Sequence, residues 1–163
     1  GMAGEFGHVS IDPSGPLCGC GKTGCWETFA SNKAALRYYS EETSPRHKNK
    51  NGGNAQVSTF DDLLLAADLG DASANEALRR MAYYLGQGMA MIATALAPQR
   101  IVVVGEITRF WDRVNPVIQQ VFRERIQPHL PTEVVPTNDT VHPRLRGAIA
   151  VVLHRHLGAP LLA

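Results

Sequence analysis

CGCGKTGCWE, residues 18–27, carries all three cysteines of the chain and is the stretch on which the fold assignment depends. Three thiols and an upstream imidazole supply four soft or borderline donors, a set that suits a closed, structural, tetrahedral zinc site. Gly19 and Gly21 let the loop fold tightly enough to direct two thiolates at one ion. The predicted zinc ligands are His8, Cys18, Cys20 and Cys25.

The cysteine count and spacing leave two alternatives to zinc open. An odd number of cysteines argues against a disulfide framework and favours metal binding or free thiols. The C-x-C-x4-C spacing is less common than paired C-x-x-C knuckles. Three ordinary thiols beside an unrelated histidine are therefore one alternative. Redox chemistry is the other, and the lack of a C-x-x-C motif disfavours it.

Length and composition describe one ordinary domain with a real core. The chain has 163 residues, of which 44% are hydrophobic and 19% charged, and its net charge is +1. This balance gives no electrostatic reason to expect nucleic acid or a membrane surface as a partner of the chain itself. No apolar run approaches the roughly 18 residues of a membrane span, and no signal peptide opens the sequence. The expected location is the cytoplasm.

Hydrophobic patterning predicts an α/β arrangement in which strands alternate with helices. The β-branched run from Ile101 to Val104 has no alternation, which is typical of a parallel strand buried on both faces. Residues 41–59 are polar and predict a flexible loop. The predicted strands are 8–11, 101–104 and 134–136, and the predicted helices are 26–39, one beginning at 60, 74–97, 111–127 and 146–156.

Helix-capping signals support two of these helices. Thr59 followed three residues later by Asp62 predicts a capped helix start. Asp71 or Ser73 is expected to cap the long helix that follows, and Pro98 is expected to end it. Within that helix, Gly86 and Gly88 lower the helix propensity and are expected to permit close packing.

Three short motifs resemble the hallmark of the ROK family (repressors, open reading frames and kinases). They are GEFGH at 4–8, CGCG at 18–21 and GCWE at 24–27, which together give G-E-x-G-H…C-x-C-G-x-x-G-C-x-E without a gap. The resemblance implies that His8 and the three cysteines are zinc ligands. It also implies the C-terminal half of an actin-like (RNase H-like) ATPase fold with a zinc-binding loop.

The resemblance covers essentially the whole chain and implies its domain organisation. Residues 1–163 are expected to form a single C-terminal sugar-binding domain, of which residues 1–27 are the zinc and sugar motif. The N-terminal lobe and any DNA-binding domain are expected to be absent from this chain.

The resemblance further implies that Glu5, His8 and Glu27 contact the hydroxyls of a monosaccharide or amino sugar. Carboxylates and imidazole suit hydroxyls, which both donate and accept hydrogen bonds. The bound zinc would fix the orientation of these three side chains. On the residues alone, Glu5 would be a solvated acid, and Glu27 an acid favoured by the dipole at a helix start.

The features of a ROK kinase are not found in the sequence. The phosphate-binding loop and the catalytic Asp of the kinases are missing, so no catalytic residue is predicted and no kinase activity is expected for this chain alone. Val104-Gly105-Glu106 stands where the kinases usually carry two glycines near the adenosine. Glu106 would repel phosphate, which argues against ATP binding.

Three functions remain open at this stage. The first is the carbohydrate-sensing part of a ROK transcriptional regulator, which the sequence of residues 25–32 favours because it resembles the NagC/XylR-like branch. The second is the C-terminal half of a ROK sugar kinase of the glucokinase or N-acetylmannosamine kinase type. The third is a truncated gene product that folds through zinc and self-association. DNA would be bound only through a domain absent from this chain.

A half-fold exposes apolar surface, so a homo-oligomer is also expected. The helices 74–97 and 146–156 are the predicted surfaces for this association.

Overall fold

The computed structural model describes residues 4–44, 57–137 and 143–157, which form an α/β arrangement of helices and a two-stranded parallel sheet. In those residues no helix is both long and apolar enough to cross a lipid bilayer. The helices are α1 (Glu27–Ala30), α2 (Asn32–Thr43), α3 (Phe60–Asp68), α4 (Ala72–Leu96), α5 (Trp111–Arg125) and α6 (Pro143–Leu157), and the strands are β1 (Arg100–Val103) and β2 (Glu133–Pro136).

Helix α4 is the centre of the core and packs against α2, α3 and α5. Asp71 caps its start by accepting a hydrogen bond from the Ala74 backbone N–H at 3.0 Å. It ends where Ala97 adopts a left-handed conformation (φ 44°) before Pro98. A Cβ added at Gly86 would lie 2.7 Å from the Ile118 carbonyl oxygen of α5, so only glycine permits this approach. The predicted close packing is confirmed.

The predicted start of α3 is also confirmed, by reciprocal bonds between Thr59 and Asp62. The Thr59 hydroxyl accepts from the Asp62 backbone N–H at 3.1 Å, and the Asp62 carboxylate accepts from the Thr59 backbone N–H at 2.9 Å. Two otherwise unpaired backbone donors are thereby satisfied. The helix can then bury Phe60 and Leu63 against the core.

The predicted single helix over 26–39 is two helices. Ser31 is extended (ψ 165°), and its hydroxyl accepts from the Ala34 backbone N–H at 3.3 Å, which starts α2 anew. Helix α2 then continues to Thr43, into the range predicted as a flexible loop. Residues 45–56 of that predicted loop lie outside the described residues.

Strand β1 is parallel, as predicted, and pairs with β2, with Ile101 opposite Val134. The prediction that β1 is buried on both faces is wrong. Val103 belongs to the core, but Val102 is 51% exposed. The reason is that a two-stranded sheet has only one face covered by the described helices.

The strand predicted at 8–11 is also wrong. Residues Phe6–His8 form a 3-10 turn, and Ser10 makes one isolated antiparallel bridge to Cys25. This segment is hydrogen-bonded to the cysteine loop, with the Ile11 N–H donating to the Gly24 carbonyl and the Trp26 N–H donating to the Val9 carbonyl, both at 2.9 Å. Within the described residues it joins no sheet.

The two helices predicted for self-association differ in exposure. Helix α4 packs one side into the core between α2 and α5, and Leu96 at its end is 61% exposed. Helix α6 carries large apolar side chains that remain exposed. They are Leu145, Ile149, Val151, Val152 and Leu153. Whether either helix mediates association stays a prediction.

Candidate functional site

A tight turn presents the cysteines on one side of the N-terminal segment. The Cys18 backbone N–H donates to the Lys22 carbonyl at 2.7 Å, and Leu17 pairs with Thr23. Gly21 has a φ of 88°, which L side chains rarely adopt. Gly24 also has a positive φ (69°), and in addition a Cβ there would overlap the Asp12 carbonyl.

The four predicted zinc ligands come together with spacing suited to one ion. Their donor atoms all lie within 4.8 Å of one another. Cys18 Sγ is 3.5 Å from His8 Nδ1, and Cys20 Sγ is 3.6 Å from Cys25 Sγ. Tetrahedral zinc, with bonds of about 2.3 Å to sulfur and about 2.0 Å to nitrogen, separates its ligand atoms by about 3.5–3.8 Å. The donor set therefore suits zinc in its chemistry, and the two contact distances match those of a tetrahedral site.

The ligands differ in their contact with solvent. Cys25 is fully buried and Cys18 nearly so, whereas Cys20 is exposed and His8 half-buried. A metal held here would have protein on most sides, which is typical of a structural site.

The surroundings of two thiols favour their protonated form when no cation is present. The backbone N–H of Cys20 lowers the pKa of Cys18. The Cys18 thiol also donates a hydrogen bond to Glu27 Oε1 (2.9 Å). This bond and burial outweigh the effect of the Cys20 N–H and raise the pKa of Cys18 to about 12. Burial also raises the pKa of Cys25. The pKa of Cys20 is lowered, chiefly by the Lys22 backbone N–H. A divalent cation would therefore have to displace protons, which makes metal affinity depend on pH.

The three predicted sugar-contacting residues lie beside the metal ligands. His8 Nδ1 faces the thiols and lies 3.6 Å from Glu27 Oε1, while His8 Nε2 lies 4.0 Å from Glu5 Oε2. The carboxylates of Glu5 and Glu27 are both open to solvent, with side-chain exposures of 61% and 47%. One imidazole thus links the thiol cluster to two accessible carboxylates.

Trp26 is a residue of this site that the sequence reasoning missed. Its indole Nε1 donates to the Tyr84 carbonyl at 2.6 Å, and its ring lies against Gly88 of α4, where an added Cβ would overlap the ring carbons. Because Trp26 directly follows Cys25, it joins the cysteine loop to the central helix. The sequence did carry a signal for this contact: a large aromatic residue next to a predicted ligand, together with a glycine inside an amphipathic helix.

Glu106, predicted to oppose nucleotide phosphate, begins a 3-10 turn over Glu106–Phe110 and is exposed. Its carboxylate accepts a hydrogen bond from the Asn32 side-chain amide at 3.2 Å. Gly105, just before it, has a φ of 122°. Whether this arrangement excludes ATP stays a prediction.

Residues 1–155 match the family model described as ROK family. A glucokinase from Halalkalibacterium halodurans is 38% identical over 80% of this chain and 41% of its own length. A xylose repressor from Bacillus spizizenii is 32% identical over 96% of this chain and 38% of its own length. The chain thus spans about two fifths of the length of these relatives.

Two solved structures resemble the described fold. A ROK family transcriptional regulator, a homolog of the E. coli MLC protein, has a TM-score of 0.70 at 28% identity, over 80% of this chain and 33% of that one. A ROK family glucokinase from Streptomyces griseus, in complex with glucose and AMPPNP, has a TM-score of 0.67 at 31% identity, over 81% of this chain and 46% of that one. Regulators and kinases are thus both among the proteins this chain resembles.

Proposed function

This chain belongs to the ROK family, and we propose that it forms the zinc-stabilised, carbohydrate-sensing part of a ROK-family transcriptional regulator. Its fold is then the C-terminal half of the actin-like fold of ROK proteins, with a zinc-binding loop. The zinc ligands of this proposal are His8, Cys18, Cys20 and Cys25.

The position of His8 carries the proposal. Its ring offers Nδ1 to the thiol cluster and Nε2 toward Glu5, so one side chain belongs to both parts of the site. Bound zinc would neutralise the thiolates and fix the plane of the imidazole. The free Nε2 and the carboxylates of Glu5 and Glu27 would then point to solvent in a constant arrangement.

That arrangement suits a monosaccharide or amino sugar. Carboxylates accept hydrogen bonds from adjacent hydroxyls, and an imidazole with one nitrogen on metal keeps the other for a hydroxyl. The related Streptomyces griseus glucokinase was solved in complex with glucose, which supports a hexose as a ligand class for this chain.

The alternative is the C-terminal half of a ROK sugar kinase that is inactive alone. The 38% identity to the Halalkalibacterium halodurans glucokinase favours it. Glu106 supports the regulator, because its carboxylate stands directly after Gly105, where phosphate would be repelled. We expect no phosphorylation of sugar by this chain alone.

The other partners follow from the regulator assignment. In such a regulator, DNA would be bound outside the carbohydrate-sensing part, and the protein would act in the cytoplasm. This chain spans about two fifths of the length of its relatives. The exposed apolar side chains of α6 support contact with the rest of such a protein or with a second copy of this chain.

Metal analysis combined with calorimetry tests the proposal. The purified chain should contain about one zinc per molecule. It should bind at least one of glucose, xylose, N-acetylglucosamine and N-acetylmannosamine, and Glu27→Gln should weaken that binding. Glu124→Gln is the matched control, since this acid contacts Gln120 on α5, away from the site. Absence of zinc, or equal weakening by both variants, would contradict the proposal, and steady ATP-dependent phosphorylation would favour the kinase.

A further inference from the structure

Two of the clustered thiols form a contact pair with unequal access to solvent. Cys20 Sγ and Cys25 Sγ lie 3.6 Å apart, and Cys20 is exposed while Cys25 has no exposed surface. A small oxidant arriving from solvent would therefore reach Cys20 first and would find a second sulfur directly behind it. This is the arrangement of an attacking thiol with a resolving partner.

We propose that Cys20 and Cys25 are a peroxide-sensitive pair whose oxidation to a disulfide expels the zinc ion. The inference rests on the proposed zinc site. It assigns to that site an oxidation reaction in which a hydroperoxide is the oxidant. Loss of two of four ligands leaves His8 and Cys18, which are too few to hold a structural ion.

The turn that carries Cys20 has room for the movement that a disulfide requires. The two sulfurs must approach from 3.6 Å to a bond length of about 2.05 Å. Gly19 and Gly21 flank Cys20, and a Cβ added at either position would meet no atom within 4 Å. There is therefore open space beside the backbone at both neighbours of Cys20, whereas Cys25 is held by its bridge to Ser10.

Cys18 is the less suitable partner. Its thiol is engaged by Glu27 Oε1 at 2.9 Å and by His8 Nδ1 at 3.5 Å. It is also separated from Cys20 by a single residue, which closes a small ring. The Cys20–Cys25 bridge closes a larger loop around the existing turn.

The reaction balances with one peroxide. The Cys20 thiolate attacks a peroxide oxygen, the O–O bond breaks, and a sulfenic acid and one hydroxide form. The Cys25 thiolate then attacks the Cys20 sulfur, the S–O bond breaks, and a second hydroxide leaves. Two thiolates have lost two electrons, the peroxide has gained them, and Zn²⁺ departs with no change in its own oxidation state. A dithiol reductant would return both electrons and permit zinc to rebind.

The test uses the full chain loaded with zinc and exposed to hydrogen peroxide. We expect release of the whole zinc equivalent, measured with a chromogenic zinc indicator, together with a Cys20–Cys25 disulfide in a non-reducing peptide map. Treatment with dithiothreitol and fresh zinc should restore the original metal content. Zinc retention under excess peroxide, or a disulfide that includes Cys18, would overturn the inference.

A variant with a nitrogen donor in place of the exposed sulfur, compared per zinc ion that it binds before peroxide is added, separates oxidation from simple loss of a ligand. Cys20→His supplies a donor that peroxide does not convert to a disulfide, so its zinc should leave about tenfold more slowly or not at all. Release at the parent rate from this variant would count against the pair.

The zinc content before peroxide separates the two proposals. A chain that binds no zinc refutes the metal site itself, and this inference with it. A chain that holds zinc but forms no disulfide refutes this inference alone.

Discussion

Replacing Gly88 with alanine tests the contact between the cysteine loop and the central helix. A Cβ at this position would overlap the Trp26 ring at Cε2, Cζ2 and Cδ2. The ring cannot turn away freely, because its Nε1 donates to the Tyr84 carbonyl, one helical turn from Gly88. We therefore expect the indole to be displaced from α4.

The magnitude follows from three effects. Overpacking of this kind costs about 1–3 kcal/mol. Loss of the indole hydrogen bond costs about 1 kcal/mol more. Alanine returns about 1 kcal/mol of helix propensity relative to glycine. The free energy of unfolding of Gly88→Ala should therefore fall by about 1–3 kcal/mol relative to the parent.

Urea unfolding followed by far-ultraviolet circular dichroism measures this change, and zinc content measured in parallel reports on the loop. The matched control is Gly147→Ala in α6, where an added Cβ meets no atom within 4 Å, so no loss of stability is expected. If both alanine variants are as stable as the parent, the proposed overlap is wrong.

A double variant makes the test independent of general sensitivity at Gly88. In a Trp26→Ala background the ring is gone, and Gly88→Ala should then cost nothing or stabilise slightly. An unchanged cost in that background would refute the role assigned to the indole.

Three further predictions concern the metal, the sugar and the α3 cap. Cys25→Ser should lose zinc and unfold at a lower urea concentration than the parent. A strong chelator should destabilise the parent in the same way. Metal analysis and urea titration check both expectations. Glu5→Gln should weaken sugar binding about tenfold by calorimetry with no change in zinc content, because its carboxylate lies 4.0 Å from His8 Nε2 on the side away from the thiols. Hydrogen bonds from Thr59 and Ser58 lower the pKa of Asp62 from 3.8 to about 2, so its stabilising contribution is present above pH 3.8 and is lost as the pH falls toward 2. As the pH falls over that range, Asp62→Asn should therefore lose less stability than the parent in side-by-side unfolding. An identical loss of stability in both proteins would contradict this.

Local chemistry made the helix starts predictable from the sequence. Thr59 and Asp62 determine the beginning of α3 through bonds within four residues, and Asp71 caps α4 in the same way. A parallel strand at 101–104 was predictable from its β-branched run, although its pairing with β2 was not. In each case the deciding contacts lie close in sequence or follow from a single pattern.

Features that depend on distant packing were mispredicted. The burial of β1 depends on how many other helices and strands cover the sheet, and the sequence of the strand itself does not reveal this. The break at Ser31 is a different case, because its cap is local. It was not predicted because the apolar pattern continues through it, although serine favours a helix start.

The candidate site was predictable as a set of residues but not as an arrangement. Spacing and residue type named the zinc ligands, and their donor atoms lie within 4.8 Å of one another. The roles of the two His8 nitrogens, and the anchoring of the loop by Trp26, depend on side-chain orientation. Both therefore required coordinates.

The contact of Trp26 with α4 also gives the molecule an intrinsic optical probe. The chain has two tryptophans, so Trp111→Phe would leave Trp26 as the single indole emitter. Packed between Gly88 and its bond to Tyr84, this indole is held next to Cys25 and is half-buried. Any event that opens the cysteine loop would bring the ring into water and shift its emission to the red. Binding and loss of zinc at the cysteine loop could thus be followed in real time in dilute solution, without a label.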